Sequence, residues 1–147
     1  MIRTARSLLL GLAIFTAGTG AALAQAAFDM KGSWTGTSSS IVSGLPPYHP
    51  TTLQAKPAGP NRLTAVKFTL KIDGQQDGRI WGTLASATKV SPVIGVISPD
   101  GKSLRIVLQG AGLIEGTVVN PDTIELLYTE QANGVAVAAT NSLTRQK

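Results

Sequence analysis

The sequence predicts an all-β protein, an eight-stranded antiparallel up-and-down β-barrel, on three observations. Apolar and polar residues alternate with period two in several separate stretches. Turn signals rich in glycine, asparagine and proline separate those stretches at short intervals. Beyond residue 26 no window carries a helix-length 3.6 period.

In chain order, the predicted strands are 32–42, 63–73, 79–88, 92–98, 103–110, 113–119, 123–131 and 135–144. The second is the clearest, because Val66-Lys67-Phe68-Thr69-Leu70-Lys71-Ile72 alternates without a break, as a strand with one buried face does. In the third, Ile80, Gly82 and Leu84 share one face. In the fifth, Leu104, Ile106 and Leu108 alternate with Arg105 and Val107. In the seventh, Ile124, Leu126 and Tyr128 alternate with Glu125 and Leu127, and Val135 and Val137 mark the inner face of the last. The connections fall at Asp73-Gly74 through Asp77-Gly78, Ser98-Pro99-Asp100-Gly101, Asn120-Pro121-Asp122 and Asn133-Gly134. The last suits a type I′ hairpin, since both residues tolerate positive φ. Eight such strands close on themselves, which removes the exposed edges of an open sheet.

Ahead of the strands, residues 1–26 have the layout of an export signal. Arg3 and Arg6 precede an apolar core from Leu8 to Phe15, and Ala22-Leu23-Ala24 supplies the small-residue cleavage pattern. The cut is expected after Ala24, with Ala26 as the alternative, leaving 25–147 as a single domain. The apolar run is about half the length needed to span a bilayer, which argues against an anchor. A periplasmic or secreted location follows.

Loss of Arg3 and Arg6 reduces the +5 formal charge of the chain to a mild positive excess. With no Lys/Arg run and few aromatic residues for stacking, nucleic acid is not an expected partner. The absence of cysteine excludes disulfides, thiol chemistry, thiolate metal sites and a lipid-modified N-terminal cysteine. Small exported eukaryotic domains usually rely on disulfides, so a bacterial protein is expected. A membrane-spanning barrel would need continuous lipid-facing apolar bands with aromatic girdles, for which this chain has too few aromatics.

The segment 43–61 interrupts the rhythm. It holds Pro46, Pro47, Pro50, Pro57 and Pro60, most of the chain's eight prolines, and its only histidine. Proline cannot donate to a ladder, so a loop is expected, and one of this length in a compact domain is usually functional or disordered. A short echo also recurs: Trp34-Thr35-Gly36-Thr37, Trp81-Gly82-Thr83 and Glu115-Gly116-Thr117. Glycine placed where a strand bends sharply at a barrel corner accounts for it.

At Gly32-Ser33-Trp34 the sequence resembles the opening strand of the calycins, the superfamily of small up-and-down barrels that includes lipocalins and avidins. The resemblance implies that Trp34 plugs one barrel end and that a basic residue of the last strand, here Arg145, stacks on it. The short hairpins are more similar to avidins. With only Trp34 and Trp81, however, the chain lacks the several tryptophans that surround biotin in that family, and no biotin site is carried over.

Little in the sequence points to catalysis. Tyr48 and His49 sit together in the proline-rich loop and are the expected ligand contacts over the barrel mouth. A lone histidine without other strong ligands does not build a zinc site. Asp73, Gln75, Asp77 and Gly78 match the first half of a calcium loop, but Leu84 stands where the bidentate glutamate belongs, so a polar turn is expected and no metal. Glu115, Glu125 and Glu130 are scattered over strands, and no nucleophile has a partnered base. On the outer face, Trp81, Val107 and Leu127 are apolar positions on different strands and suggest a partner surface, self-association into a homo-oligomer included.

The expected function is therefore non-catalytic. It is the binding of a small apolar or amphipathic molecule at the barrel mouth by an exported protein, with no cofactor and with 43–61 as a lid. The alternative is a protein-binding module, such as an inhibitor of an exported hydrolase.

Overall fold

Period-two alternation places every second side chain on one face, and in a computed structural model of the chain those faces meet around one axis. The structure describes residues 28–44, 59–132 and 134–147. The strands are β1 (Gly32–Gly44), β2 (Gly59–Gln76), β3 (Arg79–Ala85), β4 (Val90–Ile97), β5 (Ser103–Leu108), β6 (Leu113–Asn120), β7 (Thr123–Ala132) and β8 (Val135–Arg145). Each pairs antiparallel with the next, and β8 returns to β1, closing the barrel. No α-helix occurs among the described residues, and no helix there is long and apolar enough to cross a membrane. The signal sequence lies outside the described residues, as do Tyr48 and His49.

Several strand boundaries differ from the sequence expectation. β1 runs on to Gly44 and β2 already begins at Gly59, so both ends of the expected 43–61 loop belong to the ladder. Pro60 is tolerated there because it stands in the first residues of its strand. The turn expected over 73–78 also shrinks to Asp77-Gly78, with φ of 49° and 74°, the left-handed pair a two-residue hairpin requires. The rest of that segment stays in β2 through a register shift between Ile72 and Gly74.

The glycines of the repeated motif stand where strands approach too closely for a side chain. A Cβ on Gly36 would fall on the Ser142 carbonyl oxygen, and one on Gly82 on the Lys71 carbonyl oxygen. At Gly116 it would press into the Leu104 and Leu126 side chains. Glycine therefore lets neighbouring strands and side chains pack closely at these three points.

Large side chains fill the barrel half nearest residues 28–31 and Arg145: Trp34, Met30, Leu70, Ile72, Ile80, Leu104, Ile106, Ile124 and Leu143 are all buried. Residues 28–31 cross beneath that end. The Gln75 side chain ties them down, accepting from Met30 N at 2.8 Å and donating through Nε2 to the Phe28 carbonyl at 2.8 Å. The hairpin at 98–102 also lies at this end. There the Ser98 hydroxyl and the Lys102 backbone N–H hold the Asp100 carboxyl below its usual range.

Candidate functional site

The barrel is filled unevenly, and the reason is side-chain size. At the end crossed by residues 28–31, Trp34 is fully buried, its Nε1 donating to the Met30 carbonyl at 2.9 Å, with the Phe28 ring tilted against it at 6.1 Å. The Arg145 guanidinium lies 4.1 Å from the Trp34 ring centroid. It also donates to the carbonyls of Asp29 at 2.6 Å, Lys31 at 2.7 Å and Pro121 at 3.2 Å, and pairs with Asp122 at 3.4 Å. One side chain from the last strand thus fastens the crossing segment, the first strand and the 121–122 turn.

Toward the other end the inner face of β1 carries Ser38 and Ser40, and β8 offers Ala139. These small residues face one another across the β1–β8 pairing, where Ser40 lies opposite Ala139 and Ser38 opposite Asn141. They leave a cavity of about 50 Å³. Its apolar wall is Val66, Phe68, Leu84, Leu108, Ile114, Leu126, Val137 and Leu143. Its polar strip is Ser38, Ser40, Thr64, Asn141, Tyr128 and Glu130. The Ser40 and Thr64 hydroxyls share a hydrogen bond of 2.7 Å. This is the end from which β1 leaves at Gly44 and to which β2 returns at Gly59.

Glu130 is the notable member. It is 7 % exposed and accepts a hydrogen bond from the Tyr128 hydroxyl at 2.7 Å. Tyr128 and Glu130 continue the inward set begun by Ile124 and Leu126, so the alternation that marked those core positions also aims this carboxylate inward. Sequence reasoning left Glu130 among scattered strand carboxylates. The signal was present and was not extended by two residues. Among the described residues no buried side-chain nitrogen or oxygen lacks a hydrogen-bond partner, and no three metal-ligating side chains converge.

The outer-face residues do not form one patch. Trp81 lies opposite Ile94, and Ile94 opposite Val107, so the three make a row across β3, β4 and β5 at 45 %, 66 % and 47 % exposure. Leu127 belongs elsewhere. It shares a shallow depression with Ile41, Leu63 and Ala138 on the β7–β8–β1–β2 side. Of the three positions suggested as a partner surface, Trp81 and Val107 share this row, while β6 lies between the strands that carry Val107 and Leu127.

No family model matches the sequence, and no curated protein matches it significantly. A solved structure similar to the chain is that of an S-type phycobiliprotein lyase, CPES, from Guillardia theta, at 14 % identity, a TM-score of 0.34, and coverage of 80 % of this chain and 89 % of that one. The name of that protein is that of an enzyme. The expectation that the present barrel is non-catalytic is withdrawn. The exclusion rested on missing motifs for acid–base and nucleophilic chemistry. A missing motif does not rule out activity in a barrel, where residues from several strands converge without any sequence signature.

Proposed function

We propose that this chain is a calycin-like barrel that takes a small apolar or amphipathic molecule into the cavity at the end opposite Trp34. The observation that carries this reading is the asymmetry of the interior, plugged by large side chains at one end and hollow at the other. An apolar wall with a few converging polar groups is the usual make-up of a small-molecule site. The Gly32-x-Trp34 strand with Arg145 over the indole supports the calycin-like assignment.

The cavity is tested by filling it. Ala139, on the wall of the hollow half, is the position at which to add volume. Ala139→Leu is expected to abolish retention of a co-purifying small molecule, read by native mass spectrometry. Because the added carbons enter an existing void, stability should stay within about 1 kcal/mol of wild type or rise. Undiminished retention would place the ligand elsewhere.

We propose further that the protein acts outside the cytoplasm, on the strength of the signal-like residues 1–26. N-terminal sequencing of the protein from its native source is expected to give a chain starting at Gln25 or Ala27. An intact Met1 on exported material would refute this.

A protein-binding role is the second reading, favoured by the exposed Trp81–Ile94–Val107 row. Neighbouring cross-strand side chains on one face form a continuous apolar strip of the sort partner surfaces use.

A further inference from the structure

We propose that the outer face of β2, β1, β8 and β7 is the interface of a homodimer, in which a second copy of this chain packs about a two-fold axis lying along the β1–β8 seam. The cross-strand pairings set the outward side chains of this face in level rows. Leu63 and Ile41 continue across the seam into Ala138 and Thr129. The next row runs Ala65, Ser39, Thr140, Leu127, and the third Lys67, Thr37, Ser142, Glu125. All of these side chains are exposed.

Charge complementarity names the occupant. These three rows carry one cation and one anion, Lys67 and Glu125, at opposite edges of the same row. Neither belongs to the ion pairs among the described residues, which are Lys71–Asp73, Arg79–Asp77, Arg105–Glu115 and Arg145–Asp122. Rotation about an axis along the seam keeps every row at its own height and exchanges β2 with β7. It therefore sets Lys67 of each copy against Glu125 of the other, twice per dimer, as an isologous interface requires. A face that supplies both members of its own charge pair, at symmetric positions, matches a second copy of itself.

Shape points the same way. Two convex barrels come closest along the seam and diverge toward the edges. Along the seam the outward side chains are mostly short: Thr37, Ser39, Ala138, Thr140 and Ser142. The longer Leu63, Lys67, Leu127 and Glu125 stand on the edge strands, where a gap must be bridged. The same rotation sets Leu127 against Ala65, Ile41 against Ala138 and Leu63 against Thr129, so larger apolar groups meet smaller ones. In the single barrel Leu63 is 84 % exposed, and Ile41 and Leu127 are exposed as well, which is the apolar surface such packing would cover. The Trp81–Ile94–Val107 row has no comparable pair to offer a second copy. Arg79 and Arg105, which flank Val96 in the adjacent row, are held by Asp77 and Glu115 of their own chain.

The experiment is sedimentation velocity on protein recovered from expression of the whole chain, with a charge swap as its core. Wild type is expected to be dimeric at about 50 μM, a concentration at which even a modest interface associates. Lys67→Glu and Glu125→Lys each turn two attractions into two repulsions, and each is expected to weaken the dimer at least about tenfold. The double variant Lys67→Glu/Glu125→Lys restores opposite charges across the axis and should dimerise within a few-fold of wild type. Leu127→Lys should weaken the dimer about tenfold by placing an ammonium against Ala65 of the other copy. Ile94→Lys, on the other apolar row, should leave it unchanged. Carbodiimide coupling of wild type should join Lys67 to Glu125 within the covalent dimer, read by peptide mass spectrometry. A monomer at this concentration overturns the proposal and leaves the cavity reading untouched. So does a dimer that survives both single reversals, or one that the double variant does not restore. Loss of the dimer in Ile94→Lys with retention in Leu127→Lys would move the interface to the Trp81 side and equally overturn it. Should the charge variants not fold, the coupled peptide in wild type decides, and its absence from the covalent dimer refutes the pairing.

Discussion

Trp34→Ala is expected to destabilise the protein by about 3–5 kcal/mol, the usual cost of truncating a fully buried large aromatic side chain. Trp34 has no exposed surface and sits in the core cluster with Met30, Leu70 and Leu143. Its removal opens a void beneath the segment 28–31. It also deprives the Met30 carbonyl of the indole N–H and leaves the Arg145 guanidinium without the ring it covers. Neighbouring side chains cannot close such a gap, because β1 is held on both sides, by β2 and by β8. Urea denaturation followed by far-UV circular dichroism measures the effect. A midpoint equal to that of wild type would mean that the plugged end contributes nothing to stability.

Arg145→Ala is expected to cost about 2–3 kcal/mol, more than the ~1 kcal/mol that loss of cation–π stacking alone accounts for. The additional loss comes from its hydrogen bonds to the carbonyls of Asp29, Lys31 and Pro121, which join three chain segments far apart in sequence. Water can reach part of this site, since the side chain is 22 % exposed, and that keeps the cost below the full sum of the contacts. Arg145→Lys should recover less than half of the loss, because an ammonium is a point charge and cannot reproduce the planar fork. The two substitutions touch one another, so a double-mutant cycle should return a coupling of about 1 kcal/mol. Strict additivity would mean that ring and guanidinium are neighbours without energetic consequence.

Much of the barrel was readable residue by residue. Val66 to Ile72, Leu104 to Leu108 and Ile124 to Tyr128 each announce an inner face, because the period of a strand is fixed by backbone geometry whatever lies around it. The strand ends were less legible. Gly59–Asn61 looked like loop because of Pro60, and only the pairing of Gly44 with Gly59 brings these residues into the ladder. The same limit applied to the site. Glu130 lies in register with Leu126 and Tyr128, yet the depth at which it sits depends on the Val137 side of β8 opposite it.

By itself, the sequence determined the strand count, the faces of the strands and the glycines, Gly36, Gly82 and Gly116, where neighbours crowd in. All of these depend on local alternation, turn chemistry and the space that a missing Cβ leaves. Only the tertiary structure decided which half of the barrel is filled and which is hollow. That outcome depends on contacts between residues remote in sequence: Gln75 holding Phe28 and Met30, Arg145 holding Asp29 and Lys31, and Ser40 facing Ala139 across the closing seam. Alternation says that a side chain points inward. The volume it meets there is set by strands on the far side of the barrel, and closure alone brings those strands together.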